Sequence, residues 1–196
     1  MWQQDLETLI DGFHHSAWGL SHSRRVYRMT LDLACQEGMQ LDEEAVLAAA
    51  YLHDLGALGD YRQPGVDHAE RSVQLLAEML IPRGFPVEKL PLVKTIVLGH
   101  TFDVRPTGPA EVACFHDADI LDFMGYIGVT RLLSIAGKEN WTPDVRSAVA
   151  LLQHFTQQMP PLLVTPTAQR IGSTRLVEMQ SYLDGLLAET TNLDLL

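Results

Sequence analysis

Cysteine is scarce in this chain. The two present in 196 residues, Cys35 and Cys114, sit in apolar, helix-like surroundings without CxxC spacing, which argues against a disulfide framework or a zinc ribbon. Reduced, buried thiols are the expectation. Clustered cations are missing as well. Fourteen Lys and Arg face 25 Asp and Glu, a net charge of -11, and no basic block is long enough to displace counterions from a nucleic-acid backbone. No apolar stretch reaches the ~18 residues that span a bilayer, and the opening MWQQDLETLI has no basic n-region. The expectation is a cytoplasmic protein with neither a nucleic-acid polymer nor a membrane as partner, acting on something small. Strand-like alternation, a repeat of 20 to 50 residues and low-complexity tracts are absent too.

What is present is helical periodicity. At 46% hydrophobic and 20% charged, the composition is that of an ordinary soluble domain, and a chain this long can bury roughly 70% of its unfolded surface. His22, Val26, Met29 and Leu33 recur on one face of a helix. Residues 42 to 55 predict a second helix, capped by Asp42, with Ala45, Val46, Ala49, Ala50 and His53 inward and Gly56 and Gly59 stopping it. Asp67 and Glu70 form a capping-box-like start for a helix to about Leu80, with His68 in its first turn. Val93, Ile96, Val97 and His100 share another face. After the turn residues Pro106, Gly108 and Pro109, a helix from about Ala110 aligns Val112, Phe115 and Asp119. Further helices are expected to about Gly137, over about 143 to 158 and over about 167 to 190. Short connections predict an all-α antiparallel array.

Imidazoles and carboxylates therefore occupy inward-facing positions, where an ionised group without a partner is strongly disfavoured. Lysine and arginine are thin on these faces, so a divalent metal is the natural counter-charge. Neutral imidazole plus carboxylate suits zinc, iron, manganese, nickel or cobalt. His53 and Asp54 diverge by about 100° around the helix, which lets the carboxylate reach a second ion.

The combination of His22, His53-Asp54 and Asp119 resembles the H...HD...D signature of the HD superfamily, whose members are helical and mostly metal-dependent phosphohydrolases. "HSRRVYRM", "AAAYLHDLG" and "HDADILDFMG" are similar to the three motif helices of small stand-alone bacterial HD hydrolases. The resemblance covers about residues 18 to 135. It implies one HD-type domain over 1–196, with its core at about 18–135 and a C-terminal helical extension at about 139–196. It also implies one or two ions. His22, His53, Asp54 and Asp119 would hold the first, and Asp54 as bridge, His68 and His100 the second. Asp54 is then the catalytic carboxylate. Surface capping is the alternative for His68, at a helix start.

Such a site activates water, whose pKa falls from about 15.7 toward ~7 on a divalent ion, for attack on a phosphoester of a nucleotide or other small phosphorylated metabolite. A phosphate also needs cations of the protein; Arg25, three residues after His22, and Arg71, three after His68, are the candidates, with a solvated surface arginine as the alternative for each. Two rivals are a di-iron oxygenase on the same fold and a catalytically idle nucleotide sensor. His116 is expected to be exposed, with orienting Asp119 one turn on as the alternative, and Asp117 to lie at the surface; His14 and His15 precede the core, and packing or exposure accounts for His154. Asp122 divides evenly between a partner of the site and a solvated acid. The C-terminal helices would cover the cleft, pad the core or support a homodimer.

Overall fold

The computed structural model describes residues 2–103 and 105–195. Among them lie nine α-helices and no strand, the one β-type pairing being an isolated bridge between Glu139 and Thr142. The chain is all-α, as its periodicity predicts. It divides into two compact units, Met1–Asp119 and Ile120–Leu196.

The first unit holds α1 (Trp2–Asp11), α2 (Leu20–Glu37), α3 (Glu43–Leu52), α4 (His68–Leu80), α5 (Leu90–Gly99) and most of α6 (Ala110–Asp122). α3 packs against α2 and α5, and α4 against α5 and the short 3-10 turn Leu55–Ala57. The helix starts are set as the sequence suggests. Asp42 accepts a hydrogen bond from the Ala45 N–H at 3.0 Å, and Asp67 accepts from the N–H groups of Ala69 and Glu70 at 2.8 and 3.2 Å. Each such cap contributes about 1 kcal/mol to the helix it opens. α3 is nearly all alanine, leucine and valine on its buried positions, and Ala45, Val46, Ala49, Ala50 and Leu52 are fully covered. Small side chains let neighbouring helices come close to it.

α3 ends earlier than the periodicity suggests. The last helical residue is Leu52, His53 is the C-cap, and Asp54 stands outside the helix at φ -98°, ψ 4°, the sparsely populated bridge region in which active-site residues recur. Gly56 and Gly59 therefore do not stop the helix. Gly56 serves close packing instead, since a Cβ there would lie 2.3 Å from the His68 carbonyl oxygen and 2.9 Å from the Ser72 nitrogen. Only glycine allows the turn after Asp54 to touch the backbone of α4.

The second unit contains the end of α6, α7 (Gly125–Ser134), α8 (Val145–Gln158) and α9 (Pro166–Glu189). α7, α8 and α9 pack on one another. A buried ion pair anchors α7: the Arg131 guanidinium meets Asp122 Oδ2 at 2.9 Å, donates to the Asp122 carbonyl at 3.0 Å and lies 4.1 Å over the Phe123 ring. Asp122 is thus a buried partner of arginine within this unit. No described helix is long and apolar enough to cross a membrane.

Candidate metal centre

Five backbone segments deliver the polar cluster. His22 lies in the first turn of α2, His53 caps α3 and Asp54 follows it, His68 opens α4, His100 caps α5, and Asp119 lies near the end of α6. Helix termini dominate this group because a terminal side chain projects past its own backbone into the space between helices. His22, His53, His100 and Asp119 are buried, Asp54 is 19% exposed and His68 is half-buried. All six residues singled out from the sequence as ligands come together.

The distances sort them into two groups joined at Asp54. His22 Nε2 lies 3.1 Å from His53 Nε2, 3.3 Å from Asp119 Oδ1 and 3.5 Å from Asp54 Oδ2, while His53 Nε2 is 3.3 Å from the same Oδ2. On the other side, His68 Nε2 and His100 Nε2 are 3.1 Å apart and lie 3.7 and 3.9 Å from Asp54 Oδ1. One carboxylate thus turns one oxygen to each group. Two donors at about 2.0–2.1 Å from a common ion, the range for zinc and imidazole, are separated by roughly 2.9–3.4 Å. The first group has this spacing nearly throughout; the second is wider at Asp54.

Whether a cation fits can be tested on the rings themselves. His53 Nδ1 donates to the Ala50 carbonyl at 3.1 Å, His100 Nδ1 to the Val97 carbonyl at 2.5 Å, and His68 Nδ1 faces Asp67 Oδ2 at 3.3 Å. Carbonyl oxygens only accept, so Nδ1 of His53 and of His100 carries a proton, and Nε2 is the atom each ring turns to the cluster. His68 Nε2 and His100 Nε2 face each other across 3.1 Å, a spacing that with both atoms unprotonated repels unless a cation stands between them. Partners of this kind on the far ring nitrogen are what orient metal-binding histidines. Asp119 Oδ1 is buried, with His22 Nε2 at 3.3 Å. The donors of His22, His53 and Asp119, and of His53, Asp54 and His100, lie within 4.8 Å of one another, and this donor set fits a divalent ion.

The electrostatics agree. Burial pushes Asp54 toward its neutral form, but His53 and His22 outweigh it and hold the carboxyl well below the usual range. Asp119 is lowered in the same way, against its burial, chiefly by His22. Burial and the nearby His53 push His100 down to about 4, so its ring is neutral near pH 7, the form that ligates.

Both candidate arginines are half-buried, in α2 and α4. Arg71 donates from Nε to the Tyr61 carbonyl at 2.9 Å and from Nη1 to Gln74 at 3.1 Å. These two bonds hold its guanidinium in place. Around the cluster, several expectations need correction. His116 and Asp117 are buried; His116 Nδ1 donates to the Gly99 carbonyl at 3.1 Å, tying α6 to α5 beside His100. Cys35, expected to be buried, is exposed, while Cys114 is buried. Sequence reasoning missed Ser72, whose hydroxyl donates to the His53 carbonyl at 2.7 Å and accepts from the Gly56 N–H at 2.9 Å. Its place one helical turn after His68 was the available signal.

This fold and cluster define an all-helical domain that gathers histidines and aspartates around a common point. Residues 19–124 match the HD domain, and the chain belongs to the HD-domain family. No curated protein matches it. Among solved structures, a Lactobacillus plantarum protein is 24% identical with a TM-score of 0.69, the match covering 97% of each chain. Bacillus subtilis YpgQ in complex with ADP is 22% identical with a TM-score of 0.68, over 95% of this chain and 97% of that one. An HD-superfamily hydrolase from Bacillus thuringiensis is 20% identical with a TM-score of 0.63, over 97% and 99%. The chain has the fold of HD-superfamily hydrolases.

Proposed function

We propose that the protein is a metal-dependent phosphohydrolase that cleaves a phosphoester in a nucleotide or other small phosphorylated molecule. The observation that carries this reading is the division of Asp54, with Oδ2 at 3.3–3.5 Å from His53 and His22 and Oδ1 at 3.7–3.9 Å from His68 and His100. A carboxylate so placed suits two cations, His22, His53, Asp54 and Asp119 holding one and Asp54, His68 and His100 the other. Cations bound there would supply Lewis acidity toward phosphoryl oxygens and a water acidified toward neutral pH.

The chain's own residues do the rest. Asp54, held ionised by its histidine neighbours, orients the reacting centre between the two groups. The rings of His53 and His100, each locked by an Nδ1–H to a carbonyl near its helix end, present Nε2 to the cluster without rearrangement. Arg25 and Arg71 are the cations proposed to meet the phosphate, and Arg71 brings a guanidinium already fixed by Tyr61 and Gln74. The ADP bound by YpgQ supports a nucleotide as the first substrate to try.

The test begins with metal analysis of protein purified without chelator or metal-affinity tag. A panel of phosphomonoesters, phosphodiesters and nucleotides follows, with Mn²⁺, Fe²⁺, Ni²⁺, Co²⁺ and Zn²⁺ in turn. Asp54→Ala is expected to lower turnover more than ~100-fold, beyond what loss of a ligand's supporting partner usually costs. Turnover undiminished in that variant refutes the mechanism; oxygen uptake by an iron-loaded protein would point to the oxygenase instead, and nucleotide binding without turnover under every metal to a sensor.

A further inference from the structure

Beyond the six candidate ligands, one buried hydroxyl holds both sides of the turn that carries Asp54. Ser72 is fully buried on α4, four residues after His68 and so on the same face of that helix. Its Oγ donates to the His53 carbonyl at 2.7 Å and accepts from the Gly56 N–H at 2.9 Å. The first of these groups is a helix-end carbonyl and the second the amide of a tight turn, and both are buried, where an unmet polar group is costly. Other bonds of the turn run from the Ala57 N–H to the Asp54 carbonyl at 2.9 Å and from the Leu58 N–H to the Leu55 carbonyl at 3.0 Å. Ser72 closes what these leave open.

The consequence for the site is geometric. Asp54 stands just outside α3, in the turn between the His53 carbonyl and the Gly56 amide, so its reach is set by where that turn is held. His68 rides on α4, the helix that carries Ser72. The hydroxyl therefore couples the backbone on either side of the shared carboxylate to the helix that supplies the second histidine group, and Gly56 lets the two backbones meet. We infer that Ser72 is a positioning residue which sets the reach of Asp54 Oδ1 toward His68 and His100, and that the affinity of the second cation depends on it. This inference rests on the two-cation reading above.

The experiment is a Mn²⁺ titration of metal-free protein by calorimetry, with electron paramagnetic resonance to separate isolated from exchange-coupled Mn²⁺. Wild type is expected to bind two ions and to show the coupled spectrum. Ser72→Ala should weaken the second ion about 10–100-fold, the usual cost of losing a partner that orients ligands, with the first changed much less and the coupled signal replaced by an isolated one. Ser72→Thr, which keeps the hydroxyl, should restore the second ion. Ser72→Cys, of similar size but a poor donor, serves should Ser72→Ala fail to fold, and should resemble it. If wild type binds two ions and the alanine or cysteine variant binds both as tightly, Ser72 has no such role while the two-cation reading stands. If wild type binds fewer than two, that reading and this inference fall together.

Discussion

Replacing Gly56 by alanine should separate the HD turn from α4 and remove the second half of the cluster. A Cβ at this position lies 2.3 Å from the His68 carbonyl oxygen, 2.7 Å from Arg71 Cβ and 2.9 Å from the Ser72 nitrogen. Carbon and oxygen settle at about 3.3 Å or more, so one backbone must retreat on the order of 1 Å from the other. Two of the three atoms belong to α4 main chain and cannot swing aside as a long side chain could. Gly56 is not among the glycines with positive φ, so alanine carries no conformational penalty there and any loss reports the contact. Overpacking of this kind costs about 1–3 kcal/mol. At roughly 2–4 °C per kcal/mol for a chain of this size, the melting temperature should fall by roughly 2–12 °C. The functional effect should be larger. Coordination tolerates only about 0.2 Å, and the displaced helix carries His68, already 3.7 Å from Asp54 Oδ1. Calorimetric unfolding of the metal-free protein and a Mn²⁺ titration read the two effects separately. A variant with unchanged melting temperature and an unchanged second ion would show that the close approach of turn and helix does not matter.

Two further predictions concern groups away from the cluster. Burial, aided by the charges of Asp117 and Glu37, pushes the Cys114 thiol up to about 11, whereas Cys35 is exposed. Iodoacetamide at pH 8 should label Cys35 alone in the folded protein and both cysteines in denaturant, and equal labelling of the native protein would contradict the burial. Because the folded pKa of Cys114 exceeds the unfolded value of about 8.5, its contribution to stability is complete below that pH and lost as pH climbs toward 11. In the second unit, Arg131→Ala should leave the Asp122 carboxylate buried without its guanidinium, 2.9 Å away in the native protein, and cost about 3–5 kcal/mol. A loss under ~1 kcal/mol in urea unfolding would mean that water replaces the arginine.

Much of this is legible without coordinates. His22, His53, His100 and Asp119 each extend an apolar stripe, so the period of 3.6 that predicts the helix also predicts that the polar residue faces inward. Asp67, by fixing where α4 starts, puts His68 at its first position. Periodicity fails where a helix has no outer face. Residues 114–122 of α6 are all buried, so nothing in the pattern marks His116 and Asp117 as covered. The end of α3 escapes the pattern for another reason. Glycine marks backbone freedom, but at Gly56 that freedom serves close packing rather than helix termination.

Most of the helices, their faces and the residue types of a metal-binding set follow from the amino-acid order alone, because they depend on local period and local chemistry; α1 (Trp2–Asp11) is not among the expected helices. Tertiary packing alone decided which oxygen of Asp54 faces which histidines and that each ring turns its Nε2 to the cluster. It alone placed the Ser72 hydroxyl between His53 and Gly56, 19 and 16 positions away along the chain. Contacts over such separations arise from how helices dock, and no stretch of sequence short enough to have a period encodes them.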